Sequence, residues 1–213
     1  MGKNHVSGFA TIIGRPNVGK STLLNQIIGE KISIISDKIQ TTRQSIQGIL
    51  SDEDSQIVFI DTPGIHKPKH RLGDYMVDTS LQSIEDVDVV LFMVNVNEKF
   101  GGGEQFILNK LSHVKKPVIL LLNKVDRVEP DQVFESIVAY KDLYDFAEII
   151  PISALNGNNV EKLIEVMKNY LPEGPKYYDE EAFTDKSERF LITELVREKV
   201  LHHTEEEVPH SVN

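Results

Sequence analysis

The densest chemistry in this sequence lies at residues 14–21, which read GRPNVGKS. Gly14, Gly19, Lys20 and Ser21 satisfy the spacing G-x-x-x-x-G-K-S, with Arg15, Pro16, Asn17 and Val18 forming the body of the loop and Thr22 following it. An apolar stretch, 6–13, precedes the run, and Leu23, Leu24, Ile27 and Ile28 make a helical stripe after it. A strand, a tight glycine-flanked turn and a helix start together form a cradle for phosphate. Inward-pointing backbone N–H groups and the positive end of the helix attract the anion. In such a cradle Lys20 would reach the outer phosphates and the Ser21 hydroxyl would ligate Mg2+.

Four further segments give the phosphate ligand an identity. DTPG, at Asp61, Thr62, Pro63 and Gly64, follows an apolar run, 57–60. A carboxylate at that strand end suits a water-mediated contact to Mg2+, and Gly64 offers an N–H to a terminal phosphate. NKVD, at Asn123, Lys124, Val125 and Asp126, follows the run 117–122. Asp126 can accept from both the ring N–H and the exocyclic amine of guanine. Adenine leaves such a carboxylate unsatisfied, so the ligand read from these residues is a guanine nucleotide, GTP or GDP. Asn123 is expected to brace neighbouring loops, and the stem of Lys124 to lie along the base. SAL, at Ser153, Ala154 and Leu155, follows a last apolar run, and the Ala154 N–H is expected to face the guanine oxygen. Thr41 and Thr42 precede the run 45–50. One of them, taken as Thr42, is expected to complete the Mg2+ shell beside Ser21 and Asp61.

These motifs need elements to hold them at loop ends. Strands are expected over 6–13, 45–50, 57–60, 87–96, 117–122 and 148–152, and helices over 20–29, 72–84, 103–111, 131–144 and 159–171. The alternation predicts an α/β fold: a mostly parallel six-stranded sheet with helices on both faces. The polar run 51–55 predicts a hairpin between the second and third strands. The pattern breaks at Pro172, Gly174 and Pro175, which signal a linker, polar and extended through 177–185. Asp185 and Glu188 then have capping-box spacing ahead of a lone helix, 190–203.

Composition bounds the partners. A net charge of −10 over 213 residues repels phosphate backbones at long range, so DNA is not an expected partner and stand-alone nucleic-acid binding is disfavoured. With no cysteine there is no disulfide or thiolate chemistry, and an intracellular home is expected. No apolar run approaches the roughly 18 residues of a membrane span. Residue 6 is Val6 rather than Ser or Thr, which argues against myristoylation at Gly2. His66 and His70 are separated by a helix-breaking Pro68 and lack a third ligand, so no zinc site is expected. Gly101, Gly102 and Gly103 are read as a flexible turn before a helix.

The five motifs in order resemble the translation-factor-related GTPases over residues 6–171. The spellings GRPNVGKSTLLN, QTTR at 40–43 and DTPGI at 61–65, with the tail LPEGPKYY and SERFLITELVREKVLHHTEEEVPHSV, resemble the Era family of P-loop GTPases. The resemblance implies a GTP-binding domain over 1–171, a linker over 172–186, and over 187–213 the first helix of a KH-type RNA-binding domain whose GXXG clamp lies outside this sequence. It further implies a GTP-hydrolysing switch in 30S ribosomal subunit assembly, acting on 16S rRNA through the KH domain. The location implied is cytoplasmic, with peripheral attachment to the inner face of the cell membrane.

Ile65 occupies the position where Ras-like GTPases carry a water-orienting Gln, and a hydrophobic residue cannot orient water. Catalysis is therefore expected to draw on Lys20, Asn17, Thr42 and Gly64. In GTPases similar to this one, an Asn at the position of Asn17 helps hold K+ against the phosphates, which implies slow turnover stimulated by potassium. The loops 36–43 and 62–71 are expected to be ordered by the third phosphate and Mg2+, and released on hydrolysis. Two competing readings are a nucleotide-dependent recruitment module with negligible hydrolysis, and an ATP-using P-loop protein, which Asp126 opposes.

Overall fold

The computed structural model describes residues 5–35, 45–65 and 83–203. Its strands are β1 (Val6–Gly14), β2 (Ile46–Ser51), β3 (Ser55–Asp61), β4 (Val89–Asn95), β5 (Val118–Asn123) and β6 (Glu148–Ile152). Its helices are α1 (Lys20–Ile28), α2 (Gly102–Leu111), α3 (Pro130–Lys141), α4 (Val160–Lys168) and α5 (Glu188–His203), with a 3-10 turn at Val125–Arg127. The helix expected over 72–84 lies outside the described residues except at its end, where 83–85 are helical.

The sheet runs β2-β3-β1-β4-β5-β6. Only β2 is antiparallel to its neighbour, through the hairpin expected from the polar turn. Asp52 builds that turn, its Oδ1 accepting from the Asp54 and Ser55 N–H groups and from the Ser55 hydroxyl at 2.6–3.2 Å. The central strands are buried on both sides, so side-chain alternation sends residues of one strand into two cores. Leu91 and Met93 of β4 join Leu23, Leu24 and Ile27 of α1 and Leu163 and Met167 of α4. Val90, Phe92 and Val94 join Ile107, Leu108 and Leu111 of α2 and Tyr140 of α3. Helices therefore cover both faces.

In the sheet β1 has β3 on one side and β4 on the other, so the connection from β3 to β4 crosses over it. Open α/β sheets bind ligands at the carboxyl ends of their strands, where the strand order reverses in this way. The register brings the motif-bearing ends level there: Ile12 lies beside Asp61, Gly14 beside Met93, and Asn123 beside both Asn95 and Ile152.

The linker and last helix are seated on this body. Pro172 O accepts from Ser7 N, Gly174 N donates to His5 O, and Tyr177 packs its ring on Phe9 at 4.9 Å. Further on, Thr184 pairs with Gly48 at the outer edge of β2. In α5, Phe190 and Leu191 pack against the α1/α4 core, and Glu198 pairs with Lys31 at 2.6 Å. The expected capping box is not formed. Ser187 caps the helix by accepting from Phe190 N, while Asp185 Oδ1 accepts from Gln47 N of β2. Among the described residues no helix is long and apolar enough to cross a membrane.

Candidate nucleotide-binding site

The phosphate loop follows β1 and leads into α1. Asn17 and Gly19 adopt left-handed backbone, with φ of 63° and 109°. Gly19 also has no room for a side chain, since a Cβ there would stand 2.3 Å from Asn123 Nδ2. Lys20 is buried, its Nζ donating to the carbonyls of Gly14 (3.3 Å) and Arg15 (3.0 Å). Burial pushes this ammonium down to about 8, against the raising charge of Asp61. A phosphate arriving in the loop would supply the missing counter-charge. Val18 turns into the core, Pro16 lies against Gly64, and Thr22 is half-buried on the first turn of α1.

At the end of β3, Asp61 is fully buried, and its Oδ2 accepts from the Ser21 hydroxyl at 2.8 Å and from the Ser33 hydroxyl at 2.9 Å. Thr62 points away from the cleft, donating to Ile12 O at 2.8 Å. Pro63 is buried, and Ile65 N donates to Gly14 O at 2.9 Å, tying this loop to the phosphate loop. The Ile65 side chain lies in the α2/α3 core and is 0% exposed, so only its backbone borders the site. Thr41 and Thr42, and with them the third expected Mg2+ ligand, lie outside the described residues, as do His66 and His70.

The loop after β5 is bolted to the phosphate loop. Asn123 Nδ2 donates to Val18 O at 2.7 Å, and Lys124 Nζ reaches Asn17 O at 2.8 Å from a left-handed backbone. Asp126 sits in the 3-10 turn begun by Val125, and its Oδ1 accepts from the buried Ser153 hydroxyl at 2.5 Å. The Ala154 N–H, expected to face a guanine oxygen, donates to Asn123 Oδ1 at 2.9 Å. A buried N–H needs a partner, and Asn123 is the one at hand. Leu155 is 63% exposed at the rim.

Three contributors were not visible as motifs. Glu98 and Glu104 both accept from Arg15 Nη1, at 2.8 and 2.9 Å, and these hydrogen bonds, Glu104 first, raise the guanidinium against its own burial. The glycines read as a flexible turn make room for this: a Cβ at Gly103 would stand 2.7 Å from Arg15 Cδ. Ser33 is the third, at 1% exposure, bonded to Asp61. A cavity of about 400 Å3, lined by Ile84, Val114 and Lys110 among others, adjoins the segment entering β5 and so lies at the opposite ends of the strands.

Comparison with known proteins agrees with this arrangement. A family model described as "50S ribosome-binding GTPase" matches residues 9–124. A structure of Era in complex with MgGDPNP and nucleotides 1506–1542 of 16S ribosomal RNA superposes with a TM-score of 0.90 at 42% identity, covering 97% of this chain and 70% of that one. A tyrosine-to-alanine variant of Aquifex aeolicus Era bound to GDP and AlF4− gives 0.87 at 41%, with the same coverage. The FeoB G-domain from Methanococcus jannaschii, at 20% identity and a TM-score of 0.53 over 78% of this chain and 98% of its own, shares the fold. A family match over more than half of the residues, and relatives at 42% and 41% identity aligned along nearly the whole sequence, make this chain a member of the Era family of GTPases.

Proposed function

We propose that the chain binds GTP across the phosphate loop and the 123–126 loop, hydrolyses it slowly, and uses the two nucleotide states to time a step of small-subunit ribosome assembly. The observation that carries this reading is the pair of bonds from Asn123 to Val18 O and from Lys124 to Asn17 O. They hold a base-reading carboxylate, Asp126, at a fixed distance from a phosphate cradle. In this reading Asp126 carries the choice of guanine, and Asn123 holds the Ala154 N–H beside it to face the guanine oxygen. The RNA side rests on the relative bound to a 16S rRNA fragment; the family description names the large subunit, but that model spans only 9–124. RNA contact is assigned to a KH-type domain to which 187–213 contributes its first helix, with 1–171 as the GTP-binding domain and 172–186 between them.

Mg2+ fits the donors present. The Ser21 hydroxyl and Asp61 carboxylate are hard oxygen donors in mutual contact. Among the described residues no group of three or more His, Cys, Asp or Glu makes an all-protein cage, which suits an ion completed by phosphate oxygens and water. Ser21 would ligate directly, Asp61 through water, and Thr42 would close the shell. Bound with nucleotide, the ion supplies charge neutralisation at the outer phosphates. Lys20 would share that task, Gly64 would offer its N–H to the third phosphate, and Asn17 would hold K+ beside it.

With Ile65 buried, no side chain at its position can orient water, and this favours one second reading: a recruitment module with negligible hydrolysis. Multiple-turnover phosphate release separates the two. The expected outcome is slow, repeated turnover, faster in K+ than in Na+, with the difference abolished in Asn17→Asp, and GTP displaced by GDP but not by ATP. Phosphate release no faster than in a protein-free control, with GTP still bound, would favour the recruitment module. Equal rates in both salts would remove K+ from the account.

A further inference from the structure

We propose that Ser33, held by Asn25, is a positioning residue for the Asp61 carboxylate and sets how strongly Mg2+ retains the nucleotide. The inference rests on the reading that Ser21 and Asp61 serve Mg2+, and it adds two residues that no motif assigns. Asn25 stands one helical turn after Ser21, on the same side of α1. Its side-chain amide grips the backbone of the segment beyond the helix. Oδ1 accepts from Ile32 N at 3.0 Å and Ser33 N at 2.9 Å, and Nδ2 donates to Ser33 O at 2.7 Å. Ser33 is thereby fixed on both sides of its α-carbon, and its hydroxyl is delivered to Asp61 Oδ2 at 2.9 Å.

A carboxylate that is 0% exposed needs donors to hold its orientation, besides the nearby charge of Lys20. Ser21 supplies one from the start of α1. Ser33 supplies a second from another segment, so the plane of the carboxylate is set by two hydroxyls that approach Oδ2 independently. Rotation that would carry Asp61 off a cation at Ser21 breaks the Ser33 bond. Asn25 touches neither Asp61 nor the phosphate loop in this chain of contacts. It acts through Ser33.

The test follows release of a fluorescent GDP from the full chain over a range of Mg2+ concentrations and in excess EDTA. Ser33→Ala is expected to raise the Mg2+ concentration that half-protects the nucleotide roughly tenfold, the size expected for one lost hydrogen bond to a charged group. Its release rate in EDTA should match that of the unsubstituted protein, because Ser33 acts only through the metal-facing carboxylate. Asn25→Ala should shift the half-point in the same direction. The double variant should shift it no further than the larger single change, because both act on one bond. A Ser33→Ala curve that coincides with the unsubstituted protein overturns the proposal. So does release accelerated equally in EDTA, which marks general loosening, and so do additive shifts in the double variant. Failure of the unsubstituted protein to bind guanine nucleotide, or to hold it more tightly in Mg2+, overturns the underlying site reading instead, and this inference with it.

Discussion

Ser153 donates a 2.5 Å hydrogen bond to Asp126 Oδ1, and that bond decides which way the carboxylate faces. A freely turning Asp126 would discriminate bases poorly, because guanine requires both acceptor oxygens in one plane. Asp126→Asn is expected to lower GTP affinity by about a hundredfold or more, since a carboxamide N–H then confronts the donors of guanine. The same N–H suits a carbonyl, so the variant should gain affinity for xanthosine triphosphate. Ser153→Ala should cost less, about 1 kcal/mol, by freeing the rotamer without removing the acceptor. Competition binding with GTP and xanthosine triphosphate checks the order, and GTP affinity unchanged in Asp126→Asn would remove this residue from base recognition. At this scale the sequence makes Lys20, Asp61 and Asp126 visible because each sits at a fixed offset inside a motif. Glu98, Glu104 and Ser33 carry no such offset. Arg15 meets its two carboxylates 83 and 89 positions along the chain, and only the pairing of β1 with β4 brings them together.

Elements were legible where one physical cause dominates. The unbroken apolar runs of β4 and β5 admit only strands buried on both faces, and the stripe of α1 ends at Gly29, whose left-handed backbone (φ 76°) closes the helix. Ends set by tertiary partners were not. Asp185 has the spacing to cap α5 but is claimed by Gln47 of β2, so Ser187 caps instead. The β2–β3 turn shows the same dependence on a distant element. Lys168, in the last turn of α4, contacts Asp52 and Asp54 at 2.8 Å each. Burial would raise the Asp52 carboxyl, yet hydrogen bonds with Lys168, Ser55 and the Asp54 side chain, and the charge of Lys168, outweigh it and hold the group down from 3.8 to about 2. A carboxyl depressed in the folded state adds stability above its unfolded value and loses it as pH falls toward the folded one. The turn's contribution should therefore be complete above about pH 5 and fade between roughly pH 4 and 2. Lys168→Met removes the contact at every pH. The melting temperatures of variant and unsubstituted protein should differ at neutral pH and converge toward pH 2, whereas a constant gap would mean that Lys168 stabilises through packing alone.

Across the whole molecule, the stretch read as a linker behaves as a strap. Composition marks it as polar and extended, whereas the backbone bends at 177–178 and turns at 180–181, where Ala182 N donates to Asp179 O. Composition is also silent about what the stretch lies on, because its partners are side chains of β2 and β3. Gln56, fully buried on β3, is the centre of that attachment. Its Oε1 accepts from Tyr177 N and Tyr178 N, and its Nε2 donates to Tyr178 O and to the Ser51 hydroxyl, all between 2.6 and 2.9 Å. Gln47, on β2, adds a second fixing point through Tyr178 Oη and Thr184. One amide thus stands in for a strand partner, and its removal strands two backbone donors. Each donor left without a partner costs about 1–3 kcal/mol if it stays buried, so local release into water is the cheaper response. Gln56→Ala should accordingly speed hydrogen exchange at the Tyr177 and Tyr178 amides by roughly tenfold or more and open 172–187 to proteolysis. The nucleotide site, at the opposite ends of the strands, should bind GDP unchanged. If exchange instead rises throughout the sheet, Gln56 supports the core of the molecule rather than the strap, and the separation between nucleotide-binding body and C-terminal attachment fails at this residue.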